Sequence, residues 1–275
     1  MSTDELMTTP TAPQDPGGGP RTRWWRRPWI VPLAVAGVAF VGYALPPYLS
    51  LDPAQARLQP GPSSPWFYPL LVTHIFLGSV AILCATAQVW PWLRRTHPRV
   101  HRVVGRVYVA AVLPAAVCVT VIAPMTLYGL NARLANTMLA LLWFGTTLAG
   151  FLAARRRQFG QHRIWMLRSF ALTYSIVANR VWTGVIFAIF VPEIFSGADV
   201  DETVLSQAVG ASSWASWVVN LLIVEWWLHR PKSSRATAGT RRRSSPRGQQ
   251  HGAAHSQGRT DALGGPDPLV QQQPS

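Results

Sequence analysis

Polar and apolar residues alternate along this chain on the scale of whole segments rather than of single turns. Six apolar blocks, at 29–49, 67–90, 103–125, 134–154, 164–192 and 209–228, are separated by short polar stretches. Each block approaches or exceeds the ~20 residues a helix needs to cross a hydrocarbon core about 30 Å thick. The pattern predicts an all-α fold, a polytopic membrane bundle of six transmembrane helices. It divides the chain into a basic N-terminal tail (1–28), a transmembrane domain (29–228) and a basic C-terminal tail (229–275). The tails bury too little apolar surface to offset the entropy of ordering them, and read as disordered.

Charge adds an orientation. Of the 25 Lys and Arg, 20 fall in the two tails and the 91–102 and 155–163 loops, whereas 193–208 carries four acids and no base. By the positive-inside rule both termini are cytoplasmic and the spans alternate, as for a multi-pass protein of a bacterial inner membrane. The net charge of +14 then reflects topology and attraction to the anionic headgroups of the lipid bilayer, not a nucleic-acid surface. Arg26-Arg27 ahead of the first block superficially resembles an export signal, but no small-residue cleavage site follows, so that block reads as a retained anchor. Cys84 and Cys118 each fall inside a span and form no metal-binding pattern.

Within the blocks, polar residues recur at helical spacing. On the fifth, His162, Ser169, Thr173 and Arg180 lie at offsets 0, 7, 11 and 18. As one straight helix this stripe is about 27 Å long, nearly the whole hydrocarbon thickness. The second block carries His74, Gly78, Ala81, Ala85 and Gln88 on one face; the third carries His101, Gly105 and Tyr108; the fourth Asn136, Trp143, Thr147 and Gly150; the sixth Ser213, Ser216 and Asn220. A stripe with no reason to face lipid turns inward, so His74, Gln88, Tyr108, Arg168, Ser169, Thr173 and Arg180 form an expected polar seam between core helices. Spans two to five make the core, with the first and sixth outside it or completing it.

The guanidinium groups in this seam need partners or water. Arg106 and Arg168 lie near the cytoplasmic surface and can snorkel, with Glu225 at the inner end of the last span as an acidic partner for either. Arg180 is deeper, and His74 is the ionisable group expected at its depth on the core helices; a neutral His74 accepts a hydrogen bond from it.

Two histidines at equal depth on facing helices are the ligand set of a b-type haem. His101 and His162 begin outward-running spans at the cytoplasmic level, each followed by an arginine, Arg102 and Arg163, suited to haem propionates or another anionic headgroup. The same pair suits a quinone headgroup, or a purely structural role at helix starts. His97, four residues before His101, is a weaker metal partner because Pro98 intervenes. HRVVGR (101–106) and HRIWMLR (162–168) also read as a faint repeat of one hairpin plan. There is no HExxH, CxxC or Gly-rich phosphate loop, and no pair of intramembrane carboxylates.

The ordered combination of His74, Gly78 and Ala81, then His101, Arg102, Gly105, Arg106 and Tyr108, then His162 through Thr173 with Arg180, resembles a bacterial membrane-protein family known as domain of unknown function 2306. The resemblance covers roughly 67–195. It implies a helical plan similar to di-haem membrane cytochromes and ferric-reductase-like proteins, although this chain lacks their two matched histidine pairs. Three function classes stand open: a haem- or quinone-associated redox protein, a small transporter or proton-linked permease using His74 and Arg180, and a non-catalytic scaffold. Homo- or hetero-oligomerisation in the membrane also stays open.

Overall fold

A computed structural model describes residues 29–57 and 64–230. Of the two tails expected to be disordered, residues 1–28 and 231–275 lie outside the described residues, while His229 of the second ends α8. The described chain is helical throughout: α1 (Ile30–Ala44), α2 (Phe67–Gln88), α3 (Pro91–Thr96), α4 (Pro98–Ile122), α5 (Gly129–Arg155), α6 (Phe159–Thr173), α7 (Ser175–Phe190) and α8 (Glu202–His229), with short 3₁₀ turns between some of them. Five helical segments are long and apolar enough to cross a membrane, and α6 with α7, bent by 44° at their junction, pass the same test when taken together as one broken span.

That bend corrects the picture of a straight fifth span. No Gly or Pro marks it. Instead the hydroxyls flanking Tyr174 turn back onto the helix, Thr173 Oγ1 donating to Ser169 O at 2.9 Å and Ser175 Oγ to Leu172 O at 2.6 Å. Such back-bonding competes with the regular ladder and often bends helices. Tyr174 itself relaxes to φ −82°, ψ −2°.

Small residues set the helix spacing. Ala81 and Ala85 of α2 meet Ala111, Ala115 and Ala116 of α4 in the main core, the most extensive helix pair in the bundle. With no large side chains between them, the backbones approach closely, the usual source of helix affinity where lipid is as apolar as the interface. Gly150 lets α5 close on α6: a Cβ there would come within 2.7 Å of Met166 Sδ. Gly210 of α8 does the same against Asn131 of α5, whose side-chain oxygen accepts from Trp214 Nε1 at 2.8 Å. The last span is therefore built into the core, with Ser212, Ser213, Ser216 and Trp217 buried.

By contrast α1 is peripheral. It buries only Ile30 and Gly37, and is held where Tyr174 OH bonds Thr86 Oγ1 and donates to Leu33 O at 3.3 Å. Its Val31, Val35 and Val38 are exposed, as a lipid-facing helix requires.

Candidate functional site

The expected seam resolves into three parts. Its centre is a buried cluster of hydroxyls contributed by α4, α5 and α6. Tyr108 OH lies 2.6 Å from both Ser169 Oγ and Thr173 Oγ1, and Ser169 Oγ lies 2.6 Å from Thr147 Oγ1. Trp143 Nε1 donates to Thr173 Oγ1 at 2.9 Å. Thr147 Oγ1 and Thr173 Oγ1 also reach the carbonyls of Trp143 and Ser169. All five residues are buried.

These six contacts share only five protons, one from each side chain. One contact is always without a proton, so several proton arrangements of the cluster are close in energy. Every polar atom nevertheless has a partner, which is what keeps such a group tolerable in an apolar interior. Chemically the cluster is a lock: its hydroxyls tie α6 to α4 and α5 within the apolar core.

Toward the α4 and α6 N-termini lies the second part. Counting back seven residues from Tyr108 and from Ser169 gives His101 and His162, so bonded hydroxyls stand two turns inward of each histidine. Both histidines thus stand at the same end of the bundle, each two turns from the hydroxyls that join α4 to α6. His162 Nδ1 lies 2.8 Å from Gly150 O. A carbonyl only accepts, so Nδ1 carries the proton and the Nε2 lone pair stays available. His101 Nδ1 is buried with no hydrogen-bond partner among the described residues. Its carbonyl accepts from Gln88 Nε2 at 2.7 Å, tying α2 to the start of α4, and Gly105 leaves room for that amide. Backbone packing between α4 and α6 is slight, and side chains bridge them. Arg102 and Arg163 are exposed at this end, Arg163 with its guanidinium 5.4 Å from the Trp227 ring centre.

Third is an ion pair. Arg168 donates to Glu225 through Nε at 2.6 Å and through a terminal nitrogen at 3.0 Å, while its guanidinium also lies 4.7 Å from the Trp165 ring centre. Of the two arginines matched to Glu225 by depth, Arg168 takes it and Arg106 stays exposed.

Two expected relationships are absent. His74 does not accept from Arg180. Its Nδ1 donates to Ala115 O at 3.0 Å, and its ring meets Trp143 edge-on at 6.3 Å. Arg180 lies beyond the bend, which takes it off the line of Ser169 and Thr173; it is exposed, with its guanidinium 6.0 Å from the Phe40 ring on α1. His97 is also apart from the histidine pair, exposed and packed on Trp92 and Thr96. Sequence reasoning missed the carbonyl of Gly150 as the group that orients His162, since a backbone acceptor has no sequence signal beyond the small residue that brings it near.

Among the described residues no group of three or more His, Cys, Asp or Glu converges as a metal site would require. A two-histidine set suits an iron whose remaining ligands come from a macrocycle.

No curated protein and no solved structure matches the chain. The model of the family described as predicted membrane protein DUF2306 matches residues 71–228, more than half of the sequence, and takes in the hydroxyl cluster, both histidines and the Arg168–Glu225 pair. The chain belongs to the DUF2306 family of predicted membrane proteins.

Proposed function

We propose that this membrane protein is a redox protein in which His101 and His162 would together hold the iron of one b-type haem. The observation that carries this reading is the hydrogen bond from His162 Nδ1 to Gly150 O. It fixes the tautomer and the ring plane and leaves Nε2 as a ligand atom, the usual arrangement of a metal-binding histidine. His101, at the same end of α4 as His162 is of α6, has a buried ring nitrogen with no partner among the described residues and supplies the second imidazole of the proposal. Arg102 and Arg163, directly after the two histidines, supply cations for the propionates.

When bound, the haem supplies one-electron exchange. The chain's own residues do the holding. Gln88 anchors the start of α4 at the His101 carbonyl. Two turns deeper the Tyr108–Ser169–Thr147–Thr173 cluster sets the separation of the helices that carry the histidines. Glu225 keeps α8 on α6 through Arg168.

The arginine-rich turns before α4 and between α5 and α6, set against the acids Glu193, Asp199 and Asp201 before α8 and Glu202 at its first position, support an orientation with both termini cytoplasmic in a bacterial inner membrane. This puts the histidine pair at the cytoplasmic end. A permease working through His74 and Arg180 has less support, because those two side chains have other neighbours.

The test is the absorption spectrum of detergent-purified protein from haem-supplied cells, oxidised and then dithionite-reduced. The expected result is a Soret band with a sharp reduced α band, lost in both His101→Ala and His162→Ala. A colourless wild-type protein overturns the reading, as does haem retained in full by both variants.

A further inference from the structure

The α5–α6 hairpin carries a cavity of about 350 Å³ lined by Ala149, Leu152, Ala153, Arg156, Gln158, Gln161 and Trp165, with neither His101 nor His162 in its wall. That volume lies at the low end of the range of small-molecule sites. Two kinds of wall meet in it. Ala149, Leu152, Ala153 and the Trp165 ring are apolar, whereas Arg156, Gln158 and Gln161 bring a guanidinium and two amides to the other side.

Position gives this division its meaning. Arg155 ends a helix long and apolar enough to cross a membrane, so the next residues stand at a membrane surface. There the apolar wall faces the depth of acyl chains and the polar wall the depth of headgroups. Trp165 is of the residue type enriched at that boundary. Arg156 is exposed, and the carboxylate in the ion pairs of the described residues, Glu225, belongs to Arg168 and His229. The guanidinium is thus free for an external anion, and its planar fork matches a phosphate.

We infer that this cavity binds one anionic glycerophospholipid. Arg156 takes the phosphate, Gln158 and Gln161 hydrogen-bond hydroxyls of the headgroup, and the upper acyl chains lie on Leu152 and Trp165. A choline headgroup offers the amides no hydroxyl and sets its own cation beside Arg156, so the site prefers phosphatidylglycerol. The inference is independent of any haem, since none of its residues belongs to the histidine pair.

Native mass spectrometry of the detergent-purified full chain tests it, with phosphatidylglycerol and phosphatidylcholine of identical chains added in turn. The expected result is retention of one phosphatidylglycerol in preference to phosphatidylcholine, reduced about fivefold in Arg156→Ala, in line with one basic contact to an anionic lipid. Ala149→Trp, which fills the cavity and changes no charge, abolishes retention. Arg99→Ala, an exposed arginine outside the cavity, leaves it unchanged. Equal retention of the two lipids overturns the inference, and so does wild-type retention in either Arg156→Ala or Ala149→Trp. Displacement of the lipid by millimolar inorganic phosphate overturns it too, because the site then recognises a free anion.

Discussion

The guanidinium of Arg168 on α6 holds both carboxylate oxygens of Glu225 on α8, at 2.6 and 3.0 Å. Both side chains are only part-buried, 24% and 35% exposed. Glu225 is the acid within the apolar spans, so the chain's intramembrane negative charge is spent on an arginine six residues after His162.

Removing either partner leaves the other charged beside the hydrocarbon. Arg168→Ala and Glu225→Gln are each expected to lower stability by about 1.5–3 kcal/mol, the range for hydrogen bonds to charged groups. Arg168→Ala/Glu225→Gln is expected to cost less than the sum of those two single changes. Thermal unfolding in detergent measures all three, and additive losses would show that the pair is not coupled.

The proton count of the hydroxyl cluster sets an order of mutant stabilities. Deleting the hydroxyl of Tyr108, Ser169 or Thr147 removes two contacts and one proton, leaving four contacts matched by four protons. Tyr108→Phe, Ser169→Ala and Thr147→Val are therefore expected to cost about 1 kcal/mol each. Thr173→Val differs, because it strips the acceptor from the buried Trp143 N–H. Its cost is expected to be the largest of the four, about 2–3 kcal/mol, as for a buried donor left unsatisfied. Tm values of the four variants check the order; Thr173→Val ranking as the mildest would refute the network.

Gly210 is a steric prediction. A Cβ at this position would lie 2.8 Å from Asn131 Nδ2 and 2.9 Å from Asn131 Cβ, and the second contact cannot be relieved by turning a side chain. Gly210→Ala is expected to push α8 off α5 and break the Trp214–Asn131 hydrogen bond. The readout is a shifted tryptophan emission with a lower Tm, and a variant that matches wild type in both would contradict the close packing.

At the start of α8, Asp201 Oδ1 accepts from the backbone N–H groups of Thr203 at 2.7 Å and Val204 at 3.3 Å. Hydrogen bonds from the Thr203 side chain and from these two backbone groups hold its carboxyl below the ordinary carboxylate range. Because the folded value is the lower one, the stabilisation is complete above the unfolded carboxylate pKa and is lost as pH falls through the folded value. Hydrogen exchange in the first turn of α8 should accelerate at acid pH in wild type, after correction for intrinsic exchange, and show no such step in Asp201→Asn, where the cap is kept without the titration.

Much of the architecture was legible because hydrophobic length is a blunt signal: blocks such as 67–90 and 209–228 correspond closely to α2 and α8. The cluster was legible too, since Tyr108, Trp143, Thr147, Ser169 and Thr173 all lie on stripes at helical spacing, and only an inward face explains them. The bend after Thr173 was not. Hydroxyl back-bonds accompany it, but the same bonds occur within α2, α4 and α5, so Thr and Ser give no sequence signal of a bend. Extending the stripe through that bend is what assigned Arg180 to the seam and paired it with His74. The Arg168–Glu225 pair was narrowed to two arginines by depth, and only the packing of α8 on α6 chose between them.

The histidine pair is most directly tested by low-temperature EPR of the oxidised, haem-loaded protein. Two imidazoles on one iron predict a low-spin ferric signal that converts to high spin when either His101 or His162 is replaced by alanine. A high-spin signal in the wild-type protein, or a low-spin signal that survives the loss of either histidine, would contradict ligation by this pair.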